Sequence, residues 1–256
     1  MGEKWGETKM RWKLCSALIL TAAISLAVAQ AATITVGPED CDYTSIQKAV
    51  DEANPGDKIS VQSGTFRENV VVDKTLIIRG TDSGSGKPVV DGKGVGSAII
   101  LSADRITLEG FVVKNSGFGK SGIEMKSDNN YIRNNLVTEN RWYGISLSDS
   151  NDNVITGNVV SKNKYGIWLP AGSEGNRITQ NEFGNNANDN AVDAGVNKWD
   201  KNIYDDLEED EDSYKIPGGS NVDENPKAPE PESTDSEPKS STITVKITIP
   251  TPIIGS

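Results

Sequence analysis

The sequence predicts an all-β solenoid: a single-stranded parallel β-helix of three sheets, with a short N-terminal capping helix. Two observations carry this. Gly122, Gly144 and Gly166 recur 22 residues apart, and Ile132, Ile155 and Ile178 recur 23 apart. Asn135, Asn158 and Asn181 keep the same step, as do Asn140, Asn163 and Asn186. A fixed period in the range of about 20–50 residues is the signature of stacked repeats. Within each repeat the apolar residues fall in runs of about three to five with period-two alternation, too short and of the wrong period for helices. Each unit is therefore a coil of three short strands, and stacking the coils makes three parallel sheets.

Alternation assigns the faces. In the first strand of each unit Ile123 and Met125, Ile145 and Leu147, and Ile167 and Leu169 point inward. Ile132, Ile155 and Ile178 do so from the second strand, and Val137, Val160 and Phe183 from the third. The turn asparagines tolerate left-handed backbone, and identical amides stacked about 4.8 Å apart can hydrogen-bond along the stack, so their role is structural. The pattern continues toward the N-terminus in looser form at Leu76–Gly80 and Ile106–Gly110, interrupted by the turn SGSGKP at 83–88. Ahead of it Ile46, Ala49, Val50 and Ala53 have helical spacing, starting near Thr44 and stopped by Pro55-Gly56. That helix caps the open end, since an uncapped solenoid exposes core and strand edges.

The ends differ from this body. Residues 1–31 combine Lys4, Lys9, Arg11 and Lys13 with an apolar run from Leu14 to Val28 and small residues at Ala27, Ala29 and Ala31. This is the layout of a secretory signal peptide cleaved after Ala29 or Ala31, the apolar run being shorter than the ~20 residues of a membrane span. The expected location is secreted, extracellular or cell-surface, with membrane contact only through this segment if it stays uncleaved. Cys15 leaves with it, so Cys41 has no partner for an intramolecular disulfide. The 256 residues carry a net charge of −11, which makes nucleic acid a poor partner. Residues 205–256 alone hold 13 acidic and 4 basic residues. The domain reading is thus a β-helix over 32–204, an acidic closing segment over 205–226, and a disordered Pro/Ser/Glu-rich tail over 227–256 with one strand-like run, TITVKITI at 242–249.

The stretches IQKAVDEANPGDKISVQSGTFRENVVVDKTLIIRG, PVVDGKG and ADRITLEGFVVKNSG, with the G-I-x-L, N-x-I and N-x-I repeats, resemble the NosD-type or CASH-domain branch of the pectin lyase-like right-handed β-helices. The resemblance covers about residues 33–226 and implies a right-handed coil. It also implies periplasmic copper binding, which the residues argue against: the chain has no His, and its mature part has one Cys and the core-directed Met125. Such domains often carry an Asp-Gly-Asp-Gly type loop resembling a calcium site. Here DDLEEDEDS stands in its place without the turn glycine, and the expectation is loose calcium binding in the millimolar range.

Sugar-active members of the resembled fold work on the first sheet, whose outward positions here are Ile100, Glu124, Ser146 and Trp168. A glycosidase needs two carboxylates about 5–9.5 Å apart, and only Glu124 stands on this face. Asp149 in the adjoining turn makes Glu124 with Asp149 a lesser catalytic candidate. The turn before the same strand is richer, placing Phe118, Lys120, Arg141, Trp142, Lys164 and Tyr165 on neighbouring coils beside Trp168. Exposed rings stack on sugars and cations hold carboxylated or sulfated groups. The ligand-binding expectation is Trp142 and Trp168 for stacking, Lys120, Arg141 and Lys164 for an acidic sugar, and Glu124 and Ser146 for hydroxyls. Binding of a polysaccharide or other cell-envelope component leads; a polysaccharide lyase, hydrolase or epimerase on the same sheet, and a structural spacer of the envelope, stay open.

Overall fold

In the computed structural model, which describes residues 31–208 and 210–230, the chain is a parallel β-solenoid of about eight turns. Most of the signal-like segment, the run at 242–249 and Glu209 of the acidic stretch lie outside the described residues. Three sheets run the length of the body, with six, ten and seven strands. The first sheet holds the G-I-x-L strands Ser121–Met125, Tyr143–Leu147 and Tyr165–Leu169, extended by Val70–Val72, Ile99–Leu101 and Ala191–Asp193. The second holds Lys58–Gln62, Ile77–Thr81, Thr107–Glu109, Tyr131–Arg133, Val154–Thr156, Arg177–Thr179 and Lys198–Asp200. The third holds the apolar pairs, among them Leu136–Thr138, Val159–Ser161 and Glu182–Gly184.

Register between coils puts like on like: Ile132 pairs with Ile155 and Ile155 with Ile178. Every residue assigned inward by alternation is at most 1% exposed. The conserved step has a steric cause at Gly144, where an added Cβ would lie 2.6 Å from both Val160 Cγ1 and Gly166 O. The chain turns into the first sheet against the coil above, and only glycine fits there.

Both ends are closed. At the N-terminal end the helix Ile46–Glu52 starts at Ser45, one residue after the expected Thr44, and buries Ile46, Ala49 and Val50. Glu68 accepts from Ser45 Oγ (2.7 Å) and the backbone N–H groups of Ile46 and Gln47, placing a carboxylate at the positive end of the helix. Gln47 satisfies the sheet edge, its side chain accepting from Val71 N (2.7 Å) and donating to Val71 O (3.2 Å). Toward the C-terminus Tyr214–Lys215 pairs antiparallel with Val222–Asp223, and Tyr214 stacks on the buried Tyr204 at 3.7 Å. Lys227, the first residue of the expected tail, still pairs with this end through Tyr204 N and Asn202 O.

The asparagine turns form ladders, as the repeat predicts, with a direction and an end. In each, the backbone N–H and Nδ2 of one Asn donate to Oδ1 of the Asn one coil further on: Asn135 to Asn158 (3.0 and 3.1 Å), Asn158 to Asn181, and Asn181 to Asn202. A second ladder runs from Asn140 through Asn163 to Asn186. A third, not anticipated, runs from Asn130 through Asn153 and Asn176 to Asn197. Since every Asn donates forward, the last needs only an acceptor, which a carboxylate supplies. Asp223 ends the first ladder, accepting from Asn202 N and Nδ2 (3.0 and 2.8 Å). Asp205 and Asp206 end the second through Asn190; in the third the Asn197 N–H donates onward to Asn221 Oδ1 (3.2 Å) while its Nδ2 donates back to Asp193. The start of the acidic run thus finishes a hydrogen-bond chain.

Candidate functional site

The outward column of the first sheet is confirmed in register, with Ile100, Glu124, Ser146 and Trp168 on successive coils. Three residues earlier in each strand Ser121, Tyr143 and Tyr165 align. The preceding turns add Phe118, Trp142 and Lys164. The result is one continuous aromatic cluster. Phe118 meets Trp142 edge-on at 4.6 Å, Trp142 meets Tyr143 and Tyr165 at 6.3 Å each, and Trp168 packs on Tyr143 at 5.4 Å and Tyr165 at 5.6 Å. Tyr143 joins the two tryptophans, a role the sequence reading missed although the repeated Tyr-Gly-Ile at 143 and 165 signals it.

Beside these rings lies a cleft of about 220 Å³ lined by Lys120, Ser121, Glu124, Tyr143, Ser146, Ser148, Trp168 and Pro170, among others. It gathers Lys120, Glu124, Ser146 and Trp168 from the predicted set. Trp142, Arg141 and Lys164 do not line it. Lys164 Nζ sits 3.5 Å above the centre of the Trp142 ring, a cation–π contact that occupies the face expected to stack on sugar. Trp142 and Lys164 thus pack on each other outside the cleft, and the rings that line it are Tyr143 and Trp168. Ser146 is 7% exposed and shares a hydrogen bond of 2.6 Å with Ser121.

Glu124 is fixed from two sides: Ser97 Oγ donates to Oε2 at 2.6 Å and Lys126 Nζ lies 2.8 Å from Oε1. Burial alone pushes its pKa up, but the hydrogen bonds from Lys126 and Ser97, with the charges of Lys126 and Lys120, outweigh it and hold the carboxyl below its ordinary range. Near neutral pH it accepts hydrogen bonds and cannot donate a proton. Asp149 stands in the next turn at φ 46°, where its Oδ1 faces Gly172, and does not line the cleft. Of the two weaker catalytic candidates, Glu124 alone lines the cleft.

A family model described as "Periplasmic copper-binding protein (NosD)" matches residues 31–218. The chain belongs to the NosD family. No curated protein matches it. Among solved structures, the crystal structure of alginate lyase from Paenibacillus sp. str. FPU-7 is similar at 16% identity, over 68% of this chain and 76% of that one, with a TM-score of 0.42. The copper in the NosD description can be tested against the donors present. The chain contains no histidine, Met125 is 0% exposed within the core, and Cys41 is a lone half-buried thiol lying against Gly37. Among the described residues no three His, Cys, Asp or Glu side chains are grouped to hold a metal. This donor set does not fit a copper centre.

Proposed function

We propose that this NosD-family chain is an envelope or extracellular protein that binds carbohydrate in the first-sheet cleft. The observation that carries the reading is the ring cluster spanning three coils beside a polar cleft. Trp168 and Tyr143 offer apolar faces to a sugar ring, Ser148 and the ionised Glu124 meet hydroxyls, and Lys120 meets a carboxylate or sulfate. The volume of about 220 Å³ suits one or two sugar rings rather than a long chain. Binding is favoured over glycoside hydrolysis because the cleft is lined by one carboxylate, Glu124, and that group is held ionised and supplies no general acid.

The test is a glycan-binding screen with the full chain, each hit also being incubated to look for cleavage products. Trp168→Ala should weaken binding of a hit about tenfold, the equivalent of about 1.4 kcal/mol, whereas Trp142→Ala should change it less. Equal effects of the two would place the stacking surface elsewhere, and cleavage of a hit would replace the binding reading with an enzymatic one.

A further inference from the structure

The outer face of the second sheet carries charge of the opposite sign to the molecule. Its two outward columns are in register along the axis. One runs Lys58, Ile77, Thr107, Tyr131, Val154, Arg177 and Lys198; the other runs Ser60, Arg79, Glu109, Arg133, Thr156, Thr179 and Asp200. Five of these are basic and two acidic, on a chain of net charge −11. At about 4.8 Å per coil the strip is about 29 Å long.

At its centre the buried Glu109 carboxylate, 7% exposed, bridges two arginines on the flanking coils, pairing with Arg79 Nε through one oxygen and Arg133 Nε through the other. The arginine side chains are 44% and 43% exposed, and among the described residues their Nη groups have no protein partner. One carboxylate thus orients two forks and leaves one positive charge over. A cleft of about 460 Å³ opens between them, floored by Gly80 and Gly110. A Cβ on Gly80 would lie 2.4 Å from Gly110 O, so no side chain fills the floor. Lys87, whose Nζ donates to the cleft residue Asn134, adds a further cation. Tyr131, 51% exposed, is two positions before Arg133 on the same outward side, with Ile77, 41% exposed, two positions before Arg79.

We infer that this strip is a second binding face, for an acidic polysaccharide lying along the solenoid axis. The Arg79–Arg133 cleft takes one carboxylate or sulfate, and Tyr131 takes the face of a neighbouring ring. Two guanidinium forks suit planar oxyanions, and the axial repeat of cations and flat apolar groups suits a linear polymer. An extended anionic surface such as a membrane would also face the acidic turn that precedes the second-sheet strands, where Asp128, Asp152 and Glu174 line one cleft. A single polymer strand meets only the strip. This inference uses none of the residues of the first-sheet cleft.

The experiment measures binding of polygalacturonate to the full chain at low and high salt. Arg79→Gln and Arg133→Gln each leave Glu109 one arginine partner. Each should weaken binding about tenfold at low salt with little change in melting temperature. Arg177→Glu with Lys198→Glu, on exposed positions, should weaken it several-fold and provides the test should either arginine variant fail to fold. Each second-sheet variant is also made in a Lys120→Glu, Trp168→Ala background, which removes any polygalacturonate held in the first-sheet cleft, so that the loss read there is that of the second-sheet strip alone. Unchanged binding in all second-sheet variants, loss confined to the first-sheet variant, or binding of phosphatidylglycerol vesicles in preference to polygalacturonate would each overturn the proposal.

Discussion

The two halves of the solenoid share one core and hold their turns by different chemistry. From residue 130 onward the turns are filled by neutral amides: Asn130, Asn135 and Asn140 open three ladders that run to the C-terminal end. Before that point the equivalent places are taken by Ile106, Phe111 and Ser116, whose backbone N–H groups donate into the first Asn of each ladder. Ile106 and Phe111 are apolar and at most 1% exposed. The N-terminal turns rely instead on carboxylates that accept backbone N–H groups: Asp57 from Ala32 and Asn54, Asp82 from Gly84 and Gly86, and Asp91 from Lys93. A coil can satisfy its corner donors with an amide that passes the bond onward or with an acceptor that ends it. The first solution requires strict spacing, since each link needs its successor one coil away. The second tolerates insertions such as 83–88, which is why the regular and irregular halves coexist.

The largest expected effect concerns what the halves have in common. Ile155→Asp and Ile78→Asp each place an unpaired carboxylate in the column Ile59, Ile78, Leu108, Ile132, Ile155, Ile178, and each should cost several kcal/mol in denaturant unfolding. A mild outcome at Ile78 alone would mean that the N-terminal coils are not part of one cooperative core.

Next in size is the ladder. Asn158 accepts from Asn135 twice and donates to Asn181, Ile132 O and Thr156 O. Asn158→Ala leaves several buried groups unpaired and should cost about 2–4 kcal/mol. Asp82→Ala, in an exposed turn of the other half, should cost clearly less. Equal losses would erase the distinction between the two kinds of corner.

Acid and alkali should act on opposite ends. Asp57, Asp82 and Asp91 have lowered pKa values. At Asp57 the cause is backbone N–H donation from Asn54 and Ala32, and at Asp82 from Gly84 and Gly86. At Asp91 burial pushes upward but is outweighed by Lys93 N–H, Asn115 and nearby cations. A carboxylate with a lowered folded pKa stabilises above its ordinary value of 3.8 and loses that contribution as pH falls through the folded value. Tyr204 and Tyr214 are raised above the ordinary 10, first by burial and then by Asp223 and Asp206 respectively. Their contribution is full below pH 10 and is lost as pH rises beyond it. Hydrogen exchange should show N-terminal turns loosening below about pH 4 and the C-terminal cap loosening above about pH 10. Loosening of the ladder coils first in acid would contradict the comparison, since the ladder members Asn135, Asn158, Asn181 and Asn202 are amides that do not titrate.

The coil, its faces and two of the three ladders were legible in the sequence because each depends on residue type at a fixed step. The third ladder escaped because its turn, near Asn130, Asn153 and Asn176, mixes Ser, Asp and Asn as any surface turn does. Of the site, the outward column from Ile100 to Trp168 could be read directly from alternation. That Lys164 would cover Trp142 could not, because side-chain pairing across coils depends on rotamers that no spacing reveals. The Glu109 bridge was hidden for a related reason: Arg79, Glu109 and Arg133 are separated by coils of unequal length, so no constant step connects them. The chemistry that repeats can be read along the chain; the chemistry that occurs once must be seen in space.

The smallest expected effect tests the faces most finely. Thr156 follows Ile155 by one residue and points outward, in register with Arg133 on one side and Thr179 on the other. Its hydroxyl makes one hydrogen bond, of 3.3 Å, with Thr179 Oγ1. Thr156→Asp removes that bond but keeps an acceptor, and the new carboxylate stands beside an arginine whose Nη groups are unpartnered. Opposite charges on adjacent strands contribute about 0.2–1 kcal/mol and exposed pairs are screened by salt. The gain and the loss should nearly cancel, leaving stability within about 0.5 kcal/mol of the parent and slightly higher at low salt than at high. Beside the several kcal/mol expected one residue earlier, this contrast isolates the period-two alternation itself. A loss at Thr156→Asp comparable to that at Ile155→Asp would mean that the outer face of the second sheet is covered, and an acidic polymer could then not lie along it.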